Sequence, residues 1–537
     1  MEERWLVVFE PSGLRILLDS NTSFLEAARR MGLHIPAECG GKGTCGKCRI
    51  ILKPKPSPTK IDSLHLKGED IRRGVRLACE HTAKAHCRAI LTRVEGRSKI
   101  LAEHLITTDE IAIDAPIDGE YGVAIDLGTT TIVAYLLGLK DGAQIGCASM
   151  LNPQIEYGED VVTRITHALQ NDEGAASLQS LVVQAIDGLI KEVCEAGQVS
   201  SEAVGRISVV GNTAMHHLFL GIDTSSLGFA PYEPAMKHSF NADSKVVGLG
   251  QVSAAQVYCS PNIAGFVGGD TVAFILSQRL DQSEDVVLGA DIGTNGEIVL
   301  SKYGELFCCS AAAGSAFEGA TISQGMRGQE GAIEHVTIDD PSQPAEIEVI
   351  GGGVPRGICG SGIVDIVSEL LKHSLLDEDG RLQESNRIIH VGPSVASYVL
   401  VEKGEHDSES RILFTQKDVR QVQLAKSAIL AGTHILIREA DVALTEIDAV
   451  YLAGAFGTYI NPESAVSIGL LPAIDPNRVV QVGNAAGDGA KKMLLSIAHR
   501  EIAEEIADSA RYVELASYGE FEKFFIRGTL MGDHLHE

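Results

Sequence analysis

A chain of 537 residues with 45% hydrophobic and 22% charged side chains has ordinary globular composition and the length of two or more domains. Its net charge of −27 argues against a nucleic-acid partner, whose phosphates would repel it. No basic–apolar–small leader opens it, no run of about eighteen apolar residues occurs, and eleven cysteines over this length do not make a secreted disulfide scaffold, so a cytoplasmic protein without membrane spans is expected.

In chain order, WLVVFE-PSG-LRILLD predicts a hairpin with Pro11, Ser12 and Gly13 as its turn. NTSFLEAARRMG predicts a helix capped from Asn21 to Ser23, with Leu25, Ala28 and Met31 on one face and Gly32 closing it. Then comes CGGKGTCGKC, residues 39–48. Gly41 to Cys48 reads G-x-x-x-x-G-K-C, one residue short of a phosphate-binding P-loop. The following RIILKPKPSP is β-branched and then proline-rich, a strand and a turn rather than the helix a P-loop needs. Cys48 also stands where magnesium wants an oxygen ligand.

The sulfur atoms give the better reading. Cys39, Cys45 and Cys48 are spaced C-x5-C-x2-C, and Cys79 follows in RLACEHTA. Three thiolates on one loop with a distant fourth is the pattern of a 2Fe–2S site. Gly40, Gly41, Gly43 and Gly46 allow such a loop to turn through positive φ and aim N–H groups at sulfur. Structural zinc is the competing four-cysteine chemistry, though it usually pairs two short C-x2-C knuckles. Hairpin, helix and cysteine loop resemble a β-grasp ferredoxin over residues 1–92, and a first gap of five is that of the adrenodoxin-like members. Cys87, in an alternating run, reads as a core residue. Residues 1–92 carry 16 Lys and Arg against 10 Asp and Glu, and the remainder 29 against 62. The acidic remainder is either a plain solvated surface or a chain whose basic domain docks on an acidic face, its own or a partner's.

Residues 93–118 read as a linker. Beyond it, YGVAIDLGTTTIVAYLL (121–137) delivers Asp126 from an apolar strand into a Gly-Thr-Thr turn, and a second strand leaves it. VVLGADIGTNGEIVL (286–300) does the same with Asp291, 165 residues on. Two D-x-G-T turns between apolar strands predict an internal duplication, with halves of about 119–285 and 286–537. Facing each other, Gly128, Thr129 and Thr130 on one side and Gly293, Thr294 and Asn295 on the other could grip phosphates. Asp126 and Asp291 could then hold Mg2+ and orient water. This is similar to the acetate and sugar kinase, heat-shock chaperone and actin superfamily, whose adenosine motif resembles AVYLAGAFGTYINPE (449–463) with Gly454, Ala455 and Gly457.

Glycine turns at 207–221, 263–276, 351–371 and 482–494 are either further ligand loops or packing turns. Cys308 and Cys309 read as buried strand residues, and His216 and His217 as helix-start residues. Cys359 in GICGSG is a nucleophile candidate only if a base lies close.

AECGGKGTCGKCRI, GVAIDLGTTT, GADIGTNGE, ICGSG and LAGAFG together resemble the reductive activators of corrinoid proteins, over nearly the whole chain. The resemblance implies a multidomain fold: an α+β β-grasp ferredoxin domain (1–92), then a duplicated α/β actin-like, ribonuclease H-like ATPase domain (119–537). It implies a 2Fe–2S cluster on the four cysteines, ATP and Mg2+ in the cleft, and reduction of an inactive Co(II) corrinoid protein to Co(I) for methyl transfer. It implies a low-potential electron donor, such as a ferredoxin or flavoprotein, and allows a homodimer through the ATPase domain. Some members carry an additional middle domain, for which the short linker here leaves no room. Two other readings stay open: a small-molecule kinase with a regulatory cluster, for which Asp270 is the one named base candidate, and a redox-sensing actin-like switch.

Overall fold

The structure is a computed structural model describing residues 4–535, apart from 11–13, 31–34, 36, 38, 92–112, 114–118, 172, 253, 392–394, 409 and 458. The predicted linker, except residue 113, the hairpin turn at Pro11 to Gly13, and the helix end at Met31 and Gly32 lie outside the described residues.

The N-terminal region is a five-stranded mixed sheet in the order Leu14–Leu18, Trp5–Glu10, Cys87–Leu91, Arg49–Lys53, Val75–Leu77. The predicted hairpin pairs antiparallel, and its first strand runs parallel to the last strand of the region. The helix Phe24–Arg30 starts where Ser23 Oγ accepts from the Glu26 N–H at 3.1 Å, and Phe24, Leu25, Ala27 and Ala28 on it are buried. RIILK is a strand, Arg49–Lys53, and no helix follows it directly, which removes the P-loop reading. Asp62 is fully buried and ties two elements together: Oδ1 accepts from the Leu77 N–H at 2.9 Å, while Oδ2 lies 2.6 Å from His81 Nε2. This fixes the segment that carries Cys79.

The remainder is built on two six-stranded sheets. In the first, Tyr121–Leu127, Thr131–Gly138 and Gln144–Leu151 form an antiparallel meander. Val204–Gly211 lies parallel to the first of these strands, and Gln256–Cys259 parallel to that. In the second, Val286–Ile292, Gly296–Lys302 and Glu305–Ala311 form the meander, with Ala449–Ala453 and Val479–Gly483 added in parallel. The five-strand arrangement therefore occurs twice. Val204–Gly211, inside the first sheet, is buried along nearly its whole length and so reads as a continuous apolar run rather than an alternating one, whereas Val479–Gly483 at the edge of the second is exposed at Val480 and Gln481.

Two helices, Gly269–Gln278 and Ala485–Leu495, pack on each other between the sheets. Phe274, Met493 and Leu494 on them share one core with Val210 of the first sheet and Val287 and Val299 of the second. Burying such a side chain stabilises the fold by about 1.5–3 kcal/mol. The later helix thus comes from the second half of the chain and rests against strands of the first.

Candidate functional site

The cysteine loop turns through positive φ at Gly40, Gly41, Gly43 and Gly46, as its composition predicts. The Ala78 N–H donates to the Cys48 carbonyl at 2.7 Å, which brings the fourth cysteine's segment to the loop. Cys48 Sγ then lies 3.3 Å from Cys79 Sγ, and the thiols of Cys39 and Cys45 hydrogen-bond each other. Within each pair one thiol is pulled down and the other pushed up. The Cys45 thiol beside it holds Cys39 at about 3, and Cys79 lowers Cys48 in the same way. Among the described residues no three His, Cys, Asp or Glu side chains close round a single ion. Two pairs of thiols suit a two-iron cluster with two ligands per iron; structural zinc wants four ligands round one ion. Cys87 is half-buried against the domain core and belongs to neither pair.

The two D-x-G-T turns meet. Gly128 N–H donates to the Thr131 carbonyl at 3.0 Å, and Gly293 N–H to the Asn295 carbonyl at 2.8 Å, closing each turn. Thr130 Oγ1 and Thr294 Oγ1 are 3.2 Å apart, and both donate to Glu318, at 3.1 and 2.6 Å. A cavity of about 380 Å³ lies between the turns, lined by Asp126, Gly128, Thr129, Thr130, Asp291, Gly293, Thr294, Asn295 and Gly454. At Gly454, where φ is +82°, a Cβ would fall 2.4 Å from Asp291 Oδ1, so the strand-to-helix turn can sit against this carboxylate only without a side chain. Gly457 packs on Leu452 instead of facing the cavity, because Gly454–Gly457 is a helical turn that presents Phe456 to it. The side chain of Ala455 lies outside the described set.

Other residues complete the walls. Asn152 Nδ2 donates to the Gly128 carbonyl at 2.9 Å, and Asn212 Nδ2 to Thr129 Oγ1 at 2.8 Å. Asn484 Nδ2 donates to Asp126 Oδ2 at 2.8 Å. The fully buried Arg164 donates from Nε to the Gly158 carbonyl at 2.8 Å and from its terminal nitrogens to Gln154 Oε1 and the Thr129 carbonyl, clamping the first turn from behind. Cys359 caps the helix Gly360–Lys372 at the cavity wall, its Sγ 3.2 Å from the Ile333 carbonyl and 3.4 Å from Ser361 Oγ. Burial raises its thiol, and these Sγ contacts are to a carbonyl and a hydroxyl, neither of which is a base. Cys308 and Cys309 are buried on a strand, and His216 and His217 are buried within the helix Thr213–Leu220.

Asn212 and Asn484 follow glycine in two of the flagged turns, so their placement had a sequence signal. Glu297, also in the cavity lining, ends the GADIGTNGE motif, whereas Glu318 had no signal.

Among the described residues six carboxylates line the cavity, those of Asp126, Asp270, Asp291, Glu297, Glu318 and Glu334, and burial acts strongly on four of them. Burial pushes Asp126 and Asp291 up to about 7 each, and the negative charge of Asp270 adds to both. Burial likewise brings Asp270 to about 6 and Glu297 well above the usual range. Each raised carboxyl keeps a proton in the folded protein that the unfolded chain has already lost. For Asp126 and Asp291 the stabilising effect is complete below the unfolded value of 3.8 and is lost as pH rises through about 7. Nucleotide- and magnesium-free protein should therefore resist urea better at pH 5.5 than at pH 7.5. Asp291→Asn should shrink that difference; an unchanged difference would show that Asp291 is ordinary.

Comparison with known proteins agrees with this architecture. Residues 8–84 match the 2Fe-2S iron-sulfur cluster binding domain, 121–283 the RACo middle region, and 285–535 the C-terminal domain of RACo, the ASKHA domain. The middle-region match corrects the expectation that this chain has no room for one: the stretch is present and forms the first of the two large sheets. The corrinoid activation enzyme RamQ of Eubacterium limosum is 34% identical over 424 residues, covering 77% of this chain and 71% of its own. A [Co(II) methylated amine-specific corrinoid protein] reductase of Methanosarcina barkeri is 24% identical over 438 residues, 76% of each chain. A solved reductive activator for corrinoid, iron-sulfur protein superposes over 98% of both chains with a TM-score of 0.71 and 29% identity. The paired thiols, the facing D-x-G-T turns and these matches along the whole length have one explanation: this chain belongs to the family of reductive activators of corrinoid proteins.

Proposed function

We propose that this protein uses ATP to pass an electron from a 2Fe–2S cluster to the Co(II) centre of a corrinoid protein, restoring Co(I) for methyl transfer. The observation that carries the reading is the 3.2 Å approach of Thr130 and Thr294, which makes one cleft of two motifs on a chain that also holds two thiol pairs. Cys39 and Cys45 would hold one iron, Cys48 and Cys79 the other. When bound, the cluster supplies one-electron transfer at about −400 mV. An acceptor 100 mV lower costs about 2.3 kcal/mol per electron, so coupling to nucleotide is what makes the step feasible.

In the cleft, the N–H groups and hydroxyls of the two turns would bind the phosphates. Asp126 and Asp291 would face Mg2+, which requires them deprotonated and so releases protons on binding. Asn484 would keep Asp126 oriented. A ferredoxin or flavoprotein of low potential would refill the cluster, in the cytoplasm. Among the described residues no helix is long and apolar enough to cross a membrane.

The ligand assignment has a direct test. Cys79→Ala should lose the visible iron–sulfur absorption, whereas Cys87→Ala should keep it within about 10% of the wild-type iron content. The reverse pattern would overturn the assignment.

A further inference from the structure

The cysteine loop rests on two segments that flank the cleft. Lys47, between Cys45 and Cys48, donates from Nζ to the carbonyl of Ala320. On the loop's other side, a Cβ at Gly40 would fall 2.8 Å from the Tyr157 carbonyl, so the backbone beside Cys39 rests on the turn that Arg164 ties to Thr129. Ala320 is two residues beyond Glu318 in a tight turn, in which Gly319 N–H donates to the Ala316 carbonyl and Ala320 N–H to the Ser315 carbonyl. A backbone shift at Glu318 would therefore carry Ala320 with it.

Glu318 occupies a place that phosphate would contest. Its carboxylate accepts from both turn hydroxyls, Thr130 and Thr294. A hydroxyl has one proton to donate, so a phosphate oxygen bound there must displace the carboxylate, and the two anions repel.

We propose that Glu318 is a positioning residue that senses nucleotide: without ATP it bridges the two phosphate turns and, through Ala320 and Lys47, keeps the cluster loop docked on the cleft, and ATP frees the loop by displacing it. The freed loop can then meet the corrinoid partner. The inference rests on reading the cleft as the ATP site. Coupling of this kind is reciprocal. Weakening the dock from the cluster side must tighten nucleotide binding at a cleft that Lys47 does not line.

The test uses full-length, cluster-loaded protein, magnesium and a non-hydrolysable ATP analogue. Lys47→Gln, which loses the charge and the reach of the Nζ donor, should tighten analogue binding about five- to tenfold, and Lys47→Arg, which keeps a long cationic donor, should restore wild-type affinity. Glu318→Ala should tighten binding at least as much, and adding Lys47→Gln to it should tighten no further. In the wild type the analogue should speed amide hydrogen exchange across residues 39–48 about tenfold, and in Glu318→Ala it should not. If the analogue binds and Lys47→Gln leaves its affinity unchanged, or the two changes simply multiply, the coupling is refuted while the ATP cleft stands. If the wild type binds no nucleotide, the cleft reading fails and the coupling with it.

Discussion

Cluster-loaded protein, given a low-potential reductant and magnesium–ATP, should convert a Co(II) corrinoid protein to Co(I), seen as the change in the corrinoid absorption spectrum. Cys45→Ser should slow the conversion at least about 100-fold, because one thiol of the Cys39–Cys45 pair is gone and the carrier with it. Asp291→Ala should slow it as much for a different reason: the cluster still reduces, but the cleft no longer uses ATP. The two failures separate by the reduced cluster's electron paramagnetic resonance signal, absent in the first and present in the second. Equal reduction with and without ATP would break the coupling. Phosphorylation of a metabolite in place of corrinoid reduction would favour the kinase reading, for which Asp270 lies in the same cavity.

The second large effect concerns ATP turnover. Asp126→Ala and Asp291→Ala should each lower kcat about 100-fold or more, with little change in circular dichroism. The double variant should be no slower than the slower single one, because residues serving one bound metal and nucleotide act as a unit. The contact of the two turns through Thr130 and Thr294 is the structural reason to expect this. Multiplying defects would mean that the two carboxylates serve separate sites.

What could be read from the sequence was whatever local chemistry dictates. The C-x5-C-x2-C spacing needs its glycines within the same ten residues, so the loop announced itself. Each D-x-G-T turn sits between its own pair of strands, so the repeat could be matched by eye, and from that the sheets. Glu318 could not be found this way. It lies in AFEGA, with no periodicity or partner nearby, and its role appears only when Thr130, 188 residues earlier, arrives beside it. Gly457 was the opposite case. The motif was legible, but which glycine meets Asp291 depends on the helical turn begun at Gly454, whose backbone conformation the sequence does not state.

The hydrogen bond from Asn484 to Asp126 spans 358 residues. During synthesis at about 5–20 residues per second, Asp126 emerges roughly 20 to 70 seconds before the asparagine that orients it. The first sheet has its own apolar core around Ile125, Leu136, Ile186 and Val209, and can fold in that interval. The cleft cannot, because the helix Ala485–Leu495 that closes the core between the sheets is still inside the ribosome or unmade. A chain truncated between the last strand of the first sheet, Gln256–Cys259, and that helix would present an ordered first sheet with a bare apolar face. Premature termination in this protein should therefore yield aggregating fragments rather than a partially active ATPase.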